Sequence, residues 1–92
     1  MRTISRGIVV DDEAKTWAVW MNKPKGLEIP DMTLYYQDGE CRMNNVTNKK
    51  GIPMLVCRGK IPPMVRNLNS YLIQARADFT NFINKKKKEA GL

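Results

Sequence analysis

Apolar and polar residues alternate with a period of two through the first two-thirds of the chain, a pattern that predicts half-buried β-strands. A first extended segment carries three aliphatic residues on one face, interrupted by Arg6: Ile4, Ile8 and Val10. After the acidic turn 11–13, a second strand at 17–21 has apolar residues on both faces. We expect such a strand to be central in the sheet, or to be covered on its second face.

The strongest local signal is a β-hairpin with Asp38-Gly39 as its turn, because both positions of such a two-residue turn need a positive φ. That turn pairs Tyr36 with Cys41 and Leu34 with Met43. One face of the hairpin is then apolar along its whole length.

The segment after the hairpin is less regular. The asparagine-rich stretch 44–51 is predicted to be a loop, or a short strand around Val46 followed by a loop. A further strand is predicted at 53–58, and its proline favours a position at the edge of the sheet.

After Ile61-Pro62-Pro63 the period changes, and apolar residues recur at steps of three and four up to Ile83, which predicts one long helix. The helix begins either at the prolines or near Asn69, because 67–70 has poor helix propensity. Gly91 is expected to cap its end. The predicted fold class is α+β: one domain, residues 1–92, with an antiparallel four- or five-stranded meander sheet packed by one long C-terminal helix.

Charge is divided unevenly between the two halves of the chain. Residues 1–40 carry five basic and seven acidic side chains, whereas residues 41–92 carry eleven basic and two acidic. The second half therefore accounts for the net charge of +7. A surface of this sign attracts polyanions, so we expect a nucleic acid or a ribonucleoprotein as the partner.

Residues that carry catalysis or bind metals are scarce. Without histidine the chain lacks the usual general base and any Ser-His or Cys-His nucleophile pair. Cys41 and Cys57 follow no zinc or disulfide spacing and are expected to be reduced and half-buried. The acids at 11–13 are expected to form a solvated turn. We predict that the protein is not an enzyme and uses no metal, cofactor or small-molecule substrate.

Two groups of side chains are candidates for contact with a polyanion. Trp20 and Tyr35 fall on the faces opposite the predicted core aromatics Trp17, Tyr36 and Tyr71, and are candidates for stacking on bases. The basic candidates expected to gather at one end of the sheet are Lys49, Lys50, Arg58, Lys60 and Arg66. The run that ends the helix adds Lys85, Lys86, Lys87 and Lys88, whose alternative role is to solvate the helix end.

No segment has the length and apolarity of a signal-peptide core or a membrane span, so the expected location is the cytoplasm. The apolar residues 79–83 beside four lysines are also typical of an interfacial amphipathic segment. That stripe is needed to cover the sheet, so we do not expect membrane binding.

From its opening residues 1–7 (MRTISRG) to its closing residues 85–92 (KKKKEAGL), the chain resembles the small basic phage anti-CRISPR proteins of the type I-F inhibitor group. Members of this group share no motif, so no role carries over to an individual residue. The resemblance implies a non-enzymatic inhibitor in the host cell cytoplasm. Such an inhibitor binds the Cas protein subunits and guide RNA of the CRISPR surveillance complex, and blocks target DNA binding or guide–target pairing.

Two other functions fit the residues. One is a small basic phage regulator that binds free DNA or RNA through its phosphate backbone. The other is a protein-only adaptor or structural virion component that uses Trp20, Tyr35 and the helix.

Overall fold

The computed structural model describes residues 1–37 and 39–92, which form six β-strands followed by one helix. The elements are β1 (Arg2–Ser5), β2 (Ile8–Asp11), β3 (Thr16–Asn22), β4 (Met32–Tyr36), β5 (Gly39–Thr47), β6 (Pro53–Lys60) and α1 (Leu68–Glu89). All neighbouring strands are antiparallel, in the order β1-β2-β3-β6-β5-β4. The α+β class and the long C-terminal helix are confirmed.

The predicted count of four or five strands is wrong, because the first extended segment is two strands. Gly7 adopts a φ of 82° in the turn between β1 and β2, a conformation that glycine reaches without strain. Its carbonyl accepts a 2.7 Å hydrogen bond from the N–H of Trp20. A Cβ at this position would lie 3.1 Å from the Trp20 carbonyl oxygen. The chain therefore reverses where the alternating pattern appears continuous.

The sheet is also not a meander. After β3 the segment 23–31 crosses to the far edge, where it begins β4, and β5 and β6 return so that β6 pairs with β3. The prediction of an edge position for the strand at 53–58 is therefore wrong. Pro53 is tolerated in this central strand because it is the first residue, opposite Thr47 at the end of β5.

The β4–β5 hairpin forms with a register that differs from the prediction. Tyr36 pairs with Gly39 and Leu34 with Cys41, so the turn begins at Gln37, which has a φ of 56°. The predicted Tyr36–Cys41 and Leu34–Met43 pairs are therefore wrong. Moving a turn by one residue along the chain changes each residue's partner by two positions, so every side chain stays on the predicted face of the sheet. The predicted turn residue Asp38 lies outside the described residues.

The far end of this hairpin is held by Asp31. Its carboxylate accepts hydrogen bonds from the backbone N–H of Asn45 at 2.8 Å and from the side-chain amides of Asn45 and Asn44 at 2.9 and 3.1 Å. These bonds lower the pKa of Asp31 to about 2, with a smaller contribution from the charge of Arg42. Of the two predictions for 44–51, a strand around Val46 followed by a loop is the one observed, since β5 extends to Thr47 and the loop is 48–52.

Helix α1 begins close to the second predicted start. Asn67 is its N-cap, and the side-chain oxygen of Asn67 accepts a 3.0 Å bond from the N–H of Ser70. At the other end Gly91 has a φ of 77° directly after the C-cap Ala90, as predicted for a glycine that ends a helix.

The core lies between α1 and one face of the sheet. The ring of Phe79 packs 6.0 Å from that of Trp17 and 4.9 Å from that of Tyr36, centroid to centroid. Trp17 is buried and its ring lies directly over Gly59, where a Cβ would come within 2.5 Å of Trp17 Cζ2. Two core residues that the alternation did not predict come from the 23–31 segment, Leu27 and Ile29.

The two cysteines lie on neighbouring strands and face the core. Cys57 pairs with Met43, two residues from Cys41, so the thiols are diagonal neighbours. Both are free and buried, and burial raises the pKa of Cys41 to about 11 and that of Cys57 to about 12. The prediction of unpaired, apolar cysteines agrees with this environment, but the prediction that they are half-buried is wrong, because both face the core and are fully buried.

Candidate nucleic-acid interface

Helix α1 covers one face of the sheet, and no described element packs over the opposite face, which we call the open face. Its side chains are those that alternate with the core residues along each strand. Its central members are Ala18 and Trp20 on β3, Val56 and Arg58 on β6, Arg42 and Asn44 on β5, and Thr33 and Tyr35 on β4.

Two arginines meet at the centre of the open face. Arg42 on β5 is directly opposite Arg58 on β6, and both side chains are exposed. Among the residues that the structure describes, neither arginine forms an ion pair. Like charges directly opposite one another destabilise a sheet, so the pair is a concentrated positive charge that an external anion would neutralise.

Trp20 lies beside this pair and is half-buried on the open face. It pairs with Val56, whose side chain is fully buried although it points away from the helix. The guanidinium carbon of Arg58 is 6.0 Å from the centroid of the Trp20 ring, within the range of a cation–π interaction. The ring therefore covers Val56 and supports the Arg58 side chain.

Tyr35 lies on the other side of the pair, on the edge strand β4, with 82% of its surface exposed. It is opposite Glu40, and Arg42 is two residues further along β5 on the same face. Trp20, Arg58, Arg42 and Tyr35 thus form a line across four strands, which we call the diagonal row. The row crosses three strand spacings, about 14 Å, and advances by four residues along the strands, about 14 Å. Its diagonal length is therefore roughly 20 Å.

A groove of about 1180 Å³ adjoins the diagonal row. It is lined on the open face by Ala18, Arg42 and Arg58, passes around the end of the sheet along the connection 61–65, and reaches Tyr36 and Tyr71 on the helix side. Met64 in this connection is 88% exposed. Glu40 and Asp11 also line the groove, so its charge is mixed and its most positive part is the arginine pair.

The predicted basic cluster is divided by the fold. Lys60 ends β6 on the open face next to Arg58, and Arg66 follows in the connection to α1. Lys49 and Lys50 lie in the loop before β6, at the opposite end of an eight-residue strand that is roughly 25 Å long. The prediction that all five gather at one end of the sheet is therefore wrong, because β6 separates them.

The lysine run lies on the helix side of the molecule rather than on the open face. Lys86 contacts the Phe82 ring at 5.5 Å and the carboxylate of Glu89 at 3.6 Å. Lys86, Lys87 and Lys88 form the last turn of α1, where positive charge favours the helix dipole. Their contact with a partner stays a prediction.

The sequence interpretation missed Arg42, although a signal was present. Arg42 alternates with the apolar Cys41 and Met43, so the hairpin pattern already placed it on the same face as Tyr35. Its pairing with Arg58 is a long-range contact between β5 and β6 that no local pattern indicates.

The first two acids of the 11–13 turn have structural partners. The 11–13 turn is closed by the Asp11 carboxylate, which accepts the N–H groups of Glu13 and Ala14 at 3.1 Å each. Asp12 forms a 2.7 Å ion pair with Arg2. The described residues contain no group of three or more histidine, cysteine or acidic side chains that would hold a metal ion.

In the described part of the chain, no helix has the combination of length and apolar character that crossing a bilayer requires. No protein-family model, curated protein or solved structure matches this chain.

Proposed function

We propose that this protein acts by binding rather than by catalysis, and that its open face binds nucleic acid, either free or within a ribonucleoprotein. The observation that carries the proposal is the Arg42–Arg58 pair, two exposed guanidinium groups side by side on an uncovered sheet face. The net charge of +7 also favours a negatively charged partner.

Arginine suits this role because its planar guanidinium donates two parallel hydrogen bonds to a phosphate. Each phosphate contact also releases condensed counterions from the nucleic acid, which supplies affinity at moderate salt. The mutual repulsion of Arg42 and Arg58 would be relieved by a bound phosphate chain. Lys60 on the same face extends this positive surface toward the end of the sheet.

The specific target that we propose is the type I-F CRISPR surveillance complex in the host cytoplasm, on the basis of the resemblance to that group of phage inhibitors. In this proposal the open face contacts the guide-RNA backbone and the Cas subunits beside it. Target DNA is then prevented from binding or from pairing with the guide. No turnover is required, since the inhibitor acts by occupancy.

The test is target DNA binding by the purified surveillance complex at saturating inhibitor. We expect the wild-type protein to block DNA binding and the double variant R42Q/R58Q to lose at least tenfold in potency. The matched control is K49Q/K50Q, which removes the same charge at the other end of β6 and should retain potency. Unimpeded DNA binding with wild-type protein would rule out this target.

A second candidate is a regulator of free DNA or RNA, and the aromatic ends of the diagonal row favour it. Trp20 and Tyr35 flank the arginines on the open face, an arrangement that suits contact with bases. This candidate predicts tight binding of naked nucleic acid, whereas an inhibitor specific for the assembled complex binds it weakly. Fluorescence anisotropy with labelled oligonucleotides distinguishes the two.

A further inference from the structure

We infer that the open face binds unpaired nucleotides, stacking their bases on Trp20 and Tyr35 while the two arginines hold the phosphates between them. This inference rests on the proposed function, since it specifies which form of nucleic acid the same face accepts. The observation behind it is the order of residues in the diagonal row: aromatic, cation, cation, aromatic.

Each aromatic ring has a position suited to stacking. Tyr35 is 82% exposed on an edge strand, and its pairing partner Glu40 is exposed as well, so a base has access to the ring. Trp20 is half-buried beside Val56, and the Arg58 guanidinium carbon lies over its ring, 6.0 Å from the centroid, so a base stacks on this ring when Arg58 turns from it to a phosphate. A supported ring loses little freedom when a base stacks on it.

A duplex fits this face poorly. The major groove of B-form DNA is about 12 Å wide, whereas a sheet of six strands has five spacings and a width of about 24 Å. The sheet face therefore cannot enter the groove. Bases inside a duplex already stack on one another, so the rings of Trp20 and Tyr35 would find no free base face.

The length of the diagonal row sets the size of the site. At the duplex rise of about 3.4 Å per nucleotide, roughly 20 Å corresponds to at most about six nucleotides. An extended strand would cover the row with fewer. We therefore expect affinity to rise with oligonucleotide length up to about six nucleotides and then to level off, apart from the statistical gain of overlapping sites.

The experiment compares a 15-nucleotide single strand, as RNA and as DNA, with an eight-base-pair duplex, which has the same number of internucleotide phosphates. We expect at least one of the two single strands, RNA or DNA, to bind at least tenfold more tightly than the duplex. Loss of one stacking ring is typically worth about 5- to 150-fold in affinity. Y35A should therefore weaken single-strand binding by at least fivefold, whereas the conservative variant Y35F should restore it.

Circular dichroism of Y35A checks that the fold is intact, which is expected because the side chain is exposed. Equal affinity for duplex and single strand, or an unchanged affinity in Y35A, would overturn this inference. If R42Q/R58Q lowers binding although either of these results is obtained, the proposed function stands and only the inference about unpaired nucleotides is overturned. Absence of binding to every nucleic acid and to the surveillance complex would instead overturn the proposed function.

Discussion

Replacing Gly59 by alanine tests how the core positions the open face. Gly59 lies in β6 between Arg58 and Lys60, and its Cα faces the ring of Trp17. The added Cβ would be 2.5 Å from Trp17 Cζ2 and 2.8 Å from Cε2, well inside van der Waals contact. Either the indole or strand β6 must move.

The indole has little room to move. It is only 3% exposed, it stacks on Phe79, and its Nε1 donates a 3.1 Å hydrogen bond to the carbonyl of Lys60. Overpacking of a core typically costs about 1–3 kcal/mol, whereas replacing glycine by alanine at a tolerant site gains about 0.4–1 kcal/mol. The net expectation for Gly59→Ala is a loss of about 1–2 kcal/mol in the free energy of unfolding.

Urea unfolding followed by circular dichroism measures this loss. With an m-value of about 1–2 kcal/mol/M, the midpoint should fall by roughly 1 M. Gly39→Ala is the matched control, because a Cβ at Gly39 meets no atom within 4 Å, and it should leave the midpoint unchanged or raise it. A Gly59→Ala midpoint equal to that of the wild type would refute the described packing of Trp17 on β6.

Three further predictions concern the ionisable and capping groups. The pKa of Asp31 falls from its ordinary value of 3.8 to about 2 on folding, so its stabilising effect is complete above pH 4 and is lost as the pH falls toward 2. Unfolding at several pH values should show this slope in the wild type and a smaller one in Asp31→Asn, and identical slopes would contradict the Asn45 contacts. Cys41 and Cys57, with pKa values raised to about 11 and 12, should resist a thiol reagent at pH 8 until the protein is unfolded in urea, and immediate reaction would contradict their burial. Asn67→Ala removes the N-cap and should cost about 1 kcal/mol in the free energy of unfolding, and no change in the urea midpoint would contradict the cap.

Local chemistry was sufficient to predict the elements that depend on near neighbours. The three-and-four spacing between residues 64 and 83 predicted α1, and Gly91 marked its end. The alternation around Trp17 predicted a strand with two apolar faces, and β3 is indeed interior.

Features that depend on distant contacts were not predictable in the same way. The turn at Gly7 depends on its contact with Trp20, and the central place of β6 depends on pairing with β3 and β5. The observed hairpin register is accompanied by a hydrogen bond from the Asn45 N–H to Asp31, a contact across 14 residues that no turn preference encodes.

The candidate site shows the same division. Alternation alone placed Tyr35 and Trp20 on the face opposite the core, as observed. The partner of Arg58 across the sheet is Arg42, and this depends on the order of the strands. A run of charge in the sequence, such as Lys49-Lys50, gives no information about which end of the sheet it occupies.

The central claim is that the Arg42–Arg58 pair binds the phosphates of a nucleic acid, and the salt dependence of binding tests it most directly. For a single strand, the slope of log affinity against log salt is about −0.7 per phosphate contacted. We expect R42Q/R58Q to reduce the magnitude of the wild-type slope by about 1.4, while K49Q/K50Q leaves it nearly unchanged. Equal slopes for wild type and R42Q/R58Q, or an equal reduction in both variants, would contradict the claim that binding is centred on this pair.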